Sequence, residues 1–120
     1  KKEIMKHNND FKYDLKVGQV KEKELASILE GSTIEVKYDL QALDTGNVFV
    51  EYYNLRSNKP SGISTTESDY YCFAIQDTFH IIKTSVLKER CRKHYKTNKD
   101  VLGGDSNTSK GILLTIKELI

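Results

Sequence analysis

Thr33-Ile34-Glu35-Val36-Lys37-Tyr38-Asp39-Leu40-Gln41-Ala42-Leu43-Asp44-Thr45-Gly46-Asn47-Val48-Phe49-Val50-Glu51-Tyr52-Tyr53-Asn54 reads as two strand-like runs, 33–43 and 47–54, rich in Val, Ile, Tyr and Phe. Between them, Asp44-Thr45-Gly46-Asn47 is a strong turn signal: Asp and Asn bond their own backbone, and Gly accepts a positive φ. A tight antiparallel hairpin is expected. In that register Asp39 lies opposite Glu51 or one step off it, and cross-strand Cβ atoms sit about 4.5–5.5 Å apart. Two carboxylates so placed repel, and something must compensate. A divalent cation does so, since Mg²⁺ is typically held by one or two carboxylates plus waters and substrate phosphates. Glu51 follows the apolar Val48-Phe49-Val50 and should emerge from the core at a strand end. Lys37 stands two residues before Asp39 and faces the same side. Arg56 and Lys59 lie on the loop beyond. A metal flanked by lysines can bind a phosphodiester, polarise it and activate water for attack. Asp44 is a rival to Asp39, although a turn Asp has a local backbone role of its own.

Outward from this stretch the pattern is mixed. Residues 1–10 are polar and charged and read as a loose end. Phe11, Tyr13, Leu15 and Val17 alternate with polar residues, as in a short strand or extended lead-in. Val20, Leu25, Ile28 and Leu29 then form a helical stripe over 18–31, closed by Gly31. After the hairpin, 55–68 reads as a loop around Asn58-Lys59-Pro60-Ser61-Gly62. The runs 69–75 and 78–83 read as strands about Gln76-Asp77, and 85–95 as a basic helix with Val86 and Leu87 inward. A Gly-Gly-Asp-Ser-Asn loop follows, and 111–119 closes the chain as a final strand or short helix. This order predicts a single mixed α/β, or α+β, domain over residues 1–120.

Composition narrows the function classes. With 120 residues, 38% of them hydrophobic, the chain can bury one core. Lys and Arg total 19 against 17 Asp and Glu, a formal charge of +2. That near-balance excludes nucleic-acid binding by bulk charge and leaves a local basic face as the alternative. No apolar run approaches a membrane span, and the lysine-rich start shows no signal-peptide pattern. Cys72 and Cys91 stand in no CxxC pair and read as reduced thiols, so a cytoplasmic location is expected. No Ser or Cys nucleophile pattern surrounds His7, His80 or His94, and Gly103-Gly104-Asp105-Ser106-Asn107 lacks the pattern of a phosphate loop.

Gly18-x-x-x-Glu22 on the leading helix, Asp39 on one strand and Val50-Glu51-x-Tyr53 on the next resemble the PD-(D/E)XK nuclease superfamily. Pro60-Ser61-Gly62-Ile63-x-x-Thr66, followed by Asp69-Tyr70-Tyr71, resembles the stretch after the Glu in phage and resolvase-like members. The resemblance spans residues 18–82. It implies a mixed central β-sheet flanked by helices, a restriction-endonuclease-like core, Mg²⁺ or Mn²⁺, and hydrolysis of DNA phosphodiesters. It also implies that Asp39 and Glu51 bind the metal, with the Tyr52 carbonyl as a further ligand. Glu22 becomes the helix acid, with Glu24 its alternative by helix phase. The family's lysine two residues after the Glu is Tyr53 here, and a phenol of pKa about 10 is a poor substitute for a cation. Lys37 or Lys59 would then supply the charge from another point in space. The resemblance further implies a homodimer or a place in a larger replication or recombination assembly, in the host cytoplasm if the chain is phage-encoded.

Three further features bear on DNA. Ser61 and Thr66 offer hydroxyls to substrate phosphates. Lys88, Arg92 and Lys93, with Arg90 and Lys96, give the late helix a basic face able to track a backbone. Tyr52, Tyr53, Tyr70 and Tyr71 could stack on bases, although such doublets more often divide one ring to the core and one to the surface. The expectation is a Mg²⁺-dependent deoxyribonuclease with no membrane partner. The alternative is a non-catalytic nucleic-acid or protein binding module on the same fold.

Overall fold

The computed structural model describes residues 14–17, 23, 26, 27 and 30–120. Tyr70-Tyr71-Cys72-Phe73-Ala74-Ile75 is a continuous apolar run, the pattern of a strand covered on both faces. Strands β1 (Asp14–Val17), β2 (Ile34–Tyr38), β5 (Tyr70–Ile75) and β6 (Thr78–Lys83) form one sheet, in the order β1-β6-β5-β2. All six β5 residues are buried. As expected, β5 and β6 pair as an antiparallel hairpin about Gln76, which takes a φ of 52°. Strands β1 and β2 flank them in parallel register.

A second sheet holds β3 (Asn47–Asn54), β4 (Lys59–Pro60), β7 (Asp100–Gly103) and β8 (Ser109–Thr115), ordered β4-β3-β8-β7 and antiparallel throughout. The class is mixed α+β, as the pattern predicts. The strands are divided between two four-stranded sheets, however, where the resemblance implies one central sheet.

The hairpin of 33–43 with 47–54 does not form. Strand β2 ends at Tyr38 and pairs with β5, while β3 pairs with β8 and β4. The cause lies in the connection. Asp39 follows β2, and its carboxylate accepts from the Gln41 N–H at 3.1 Å and the Phe49 N–H at 3.2 Å. Ala42–Thr45 then coil into one helical turn, α1, with Ala42 fully buried. Gly46 caps it at φ 75°, and its N–H donates to the Ala42 carbonyl at 2.7 Å. The left-handed conformation that marks a hairpin glycine serves here as a helix C-cap, and the chain crosses from one sheet to the other.

The main core lies between the sheets. Tyr71, Phe73, Ile75 and Ile82 meet Val48, Val50, Ile112 and Leu114. Helix α2 (Thr84–Arg92) closes it with Leu87 and Cys91, four residues apart on one face. The helix stops three residues short of the expected 85–95. The final run resolves into both expected forms, strand β8 followed by a 3₁₀ turn over Ile116–Leu119. The loop 55–68 contains β4 and a 3₁₀ turn over Gly62–Ser64. Lys23, Ala26, Ser27 and Glu30 are helical and Gly31 is the turn after them, as expected. The end 1–10 lies outside the described residues. Among those described, no helix is long and apolar enough to cross a membrane.

Candidate functional site

Glu51 is half-buried on β3, just before a bulge that shifts the pairing with β8. Two hydroxyls hold its carboxylate: Ser61 Oγ donates to Oε2 and Ser109 Oγ to Oε1, each at 2.7 Å. Ser61 arrives through the turn after β4, and its N–H donates to the Tyr52 carbonyl at 3.1 Å. Gly62 makes this approach possible. Its φ is +54°, and a Cβ there would lie 2.2 Å from the Glu51 carbonyl oxygen.

Glu51 shares a pocket of about 340 Å³ with Phe49 and Gly62 on one side and Glu35, Lys37, Tyr71 and Phe73 on the other. The β2–β5 register places Glu35 beside Tyr71 and Lys37 beside Phe73. Lys37 Nζ lies 2.9 Å from Glu35 Oε2, and Thr66 Oγ1 donates to Glu35 Oε1 at 3.0 Å. The Lys37 ammonium holds the Glu35 carboxyl below its ordinary value against some desolvation, with Thr66 assisting. Burial, reinforced by the Glu35 charge, pushes the Tyr71 phenol up to about 12. The pocket therefore presents two carboxylates, an ammonium and a phenol that stays protonated at neutral pH.

The structure places the sequence-predicted residues unevenly. Lys37 and Glu51 meet in this pocket. Asp39 does not line it, because its carboxylate is bound to backbone N–H groups at the crossover. The expected side-by-side Asp39–Glu51 pair depended on the hairpin that does not form. Lys59 is exposed on β4 opposite Asn54 and also lies outside the pocket. The Tyr52 carbonyl accepts from Ser61 N and from Ser64 Oγ at 2.8 Å. Tyr53 turns to Asn58, its hydroxyl donating at 2.6 Å. Ser61 and Thr66 each bond a pocket carboxylate. Glu22 and Glu24 lie outside the described residues. Among those described, no three His, Cys, Asp or Glu gather as a metal-holding group. Sequence reasoning missed Glu35 and Ser109, and gave Tyr71 only a role in stacking on bases. Glu35 had a signal: it shares the strand face of Lys37 by simple alternation. Ser109 had none, since it reaches Glu51 across 58 positions.

A second cleft, of about 350 Å³, lies against α2. Lys88 and Arg92 line it with Tyr52, Ser64 and Tyr95. The Tyr52 hydroxyl donates to Asp100 Oδ1 at 2.8 Å, and burial together with that carboxylate raises its pKa. Its ring meets Tyr95 edge-on, centroids 5.6 Å apart, and Lys96 Nζ lies 5.5 Å from the Tyr95 centroid. Cys91 also lines the cleft, its thiol pushed up to about 12 by burial and the Glu118 charge, so it is no nucleophile at neutral pH. Both cysteines are free and buried. Lys93, at the end of α2, is exposed and outside the cleft. No protein-family model, no curated protein and no solved structure matches this chain.

Proposed function

We propose that this chain is a metal-dependent nuclease acting on DNA phosphodiesters, with its site in the pocket where β2 approaches β3. One observation carries the reading: Glu35, Lys37 and Glu51, from strands of two different sheets, line the same pocket. The donor set fits Mg²⁺ or Mn²⁺, because the carboxylates of Glu51 and Glu35 are hard oxygen ligands. When bound, such an ion polarises a phosphodiester and makes a bound water more acidic. The chain's own groups do the positioning. Ser61 and Ser109 fix the orientation of Glu51, as outer-shell donors do for ligating carboxylates. Lys37, its side chain 48% exposed, can meet a phosphate oxygen without leaving Glu35. Protonated Tyr71 can donate to a substrate oxygen.

Cleavage of plasmid and oligonucleotide DNA with Mg²⁺ or Mn²⁺ tests this. Glu51→Gln and Glu35→Gln should each lose about 100-fold in rate or more. Asp39→Ala, outside the pocket, should keep the activity of its folded fraction. Wild-type rates in both glutamine variants would overturn the assignment.

One observation favours the other reading, a binding module without catalysis. Each pocket carboxylate already has protein partners, and the position of the family lysine is Tyr53, bound to Asn58. Calorimetric titration with Mn²⁺ separates the two. Binding heat that disappears in Glu51→Gln belongs to a nuclease, and its absence in the wild type belongs to the module.

A further inference from the structure

We propose that the cleft beside α2 is a binding site for single-stranded nucleic acid, taking one base and its adjoining phosphate. The inference rests on the nuclease reading for what happens to the strand, and deepens it by naming the form of substrate. The affinity of the cleft is a separate matter, carried by its own side chains.

Lys88 and Arg92 stand four residues apart and so share one face of α2. Neither has an ion-pair partner among the described residues. Two cations on one helix face, in a concave wall whose lining residues include no carboxylate, make a site for an anion. The cleft is also lined by aromatic and apolar side chains: Tyr52, Tyr95, Ile63 and Ile112. The Tyr52 ring is pinned by its bond to Asp100, while Tyr95 is 51% exposed and able to offer a face. An aromatic ring beside paired cations is the combination by which single strands are held without sequence readout, base on ring and phosphate on cation.

The size of the cleft selects the strand form. About 350 Å³ is at the small end of the roughly 300–1,000 Å³ of ligand clefts. It suits one nucleotide unit, and the bases of a duplex enter such a pocket only when unpaired and unstacked. The cleft also adjoins the carboxylate pocket. Glu51 and Tyr52 are consecutive on β3 and line one each, and the turn after Ser61 gives Gly62 to the pocket and Ser64 to the cleft.

Fluorescence anisotropy in EDTA, with labelled oligo-dT and a duplex of equal length, tests the site with cleavage suppressed. The single strand should bind at least about 10-fold more tightly than the duplex. Lys88→Gln and Arg92→Gln should each weaken it and lower the salt slope by about 0.7. Tyr95→Ala should weaken it about 10-fold with the slope unchanged, and Tyr95→Phe should restore it. Circular dichroism confirms that these surface variants stay folded. Equal affinity for duplex, or oligo-dT binding unchanged in the Lys88, Arg92 and Tyr95 variants, overturns the proposal. An acidic peptide that competes as well as oligo-dT overturns it too. Absence of Mg²⁺-dependent cleavage with this binding intact would remove the nuclease reading alone.

Discussion

Gly62 shows how much one residue can decide. It meets two demands at once, a left-handed backbone and an approach that leaves no space for a Cβ beside the Glu51 carbonyl. The left-handed region costs an ordinary residue roughly 1–2 kcal/mol, and overpacking typically adds about 1–3 kcal/mol. Gly62→Ala should therefore lose on the order of 2–5 kcal/mol in urea unfolding, and cleavage should fall as Ser61 is displaced from Glu51. Ser61→Ala removes only a partly exposed hydrogen bond and is expected to cost about 1 kcal/mol. Equal stability of Gly62→Ala and wild type would show that the turn relaxes freely. The Pro60-Ser61-Gly62 signal was legible as a turn. Its purpose was not, because the partner of Ser61 stands ten residues away on a strand whose neighbours the sequence did not reveal.

The elements most legible in the sequence were those whose pairing is local. The hairpin of β5 and β6 follows from two β-rich runs about a short turn, and the start of α2 from its apolar spacing. Strand β7, only four residues long and without alternation, is not predicted by the sequence pattern, and only its last residue, Gly103, falls in the expected Gly-Gly-Asp-Ser-Asn loop. The parting of β2 from β3 was hidden by Asp39, whose backbone bonds compete with a tight turn. The last 3₁₀ turn shows a similar side-chain device. The Thr115 N–H donates to Glu118 Oε1 at 2.9 Å, and the Glu118 N–H returns to Thr115 Oγ1 at 3.3 Å. His94 Nε2 lies 2.7 Å from Glu118 Oε2. Burial raises the Glu118 carboxyl, but the bonds from His94 and Thr115 outweigh it and leave the pKa below its ordinary value of 4.5. A carboxyl lowered by folding contributes stability above that ordinary value, and the contribution fades as pH falls through the lowered one. Glu118→Gln should thus cost about 1 kcal/mol at neutral pH, a figure kept small because the group is partly exposed. The gap to wild type should close as pH falls from the ordinary carboxyl value of 4.5 through the lowered one. Urea midpoints across that range measure it, and a gap that stays constant with pH would refute the electrostatic origin.

At the scale of the molecule, the near-neutral charge of +2 conceals two surfaces of different character: a pocket with two carboxylates and one ammonium, and a cleft with two cations that have no ion-pair partner among the described residues. The pocket depends on the two sheets keeping their relative position, since Glu35 and Glu51 come from different sheets. That position is held by the shared core and by the Asp39 crossover. Ile82 in one sheet and Leu114 in the other are both fully buried there. Truncating either to alanine should cost about 2–5 kcal/mol. If the core is one cooperative unit, the loss should spread to both sheets. Hydrogen exchange on Leu114→Ala reads this directly, comparing the amide of Val50 in β3 with that of Phe73 in β5. Both should lose protection by the same amount, and Ile82→Ala should do the same in reverse. Protection at Phe73 that survives Leu114→Ala would mean that the sheets open independently. The pocket would then exist only while two separate units stayed docked, and its carboxylates would lack the fixed spacing that metal binding requires.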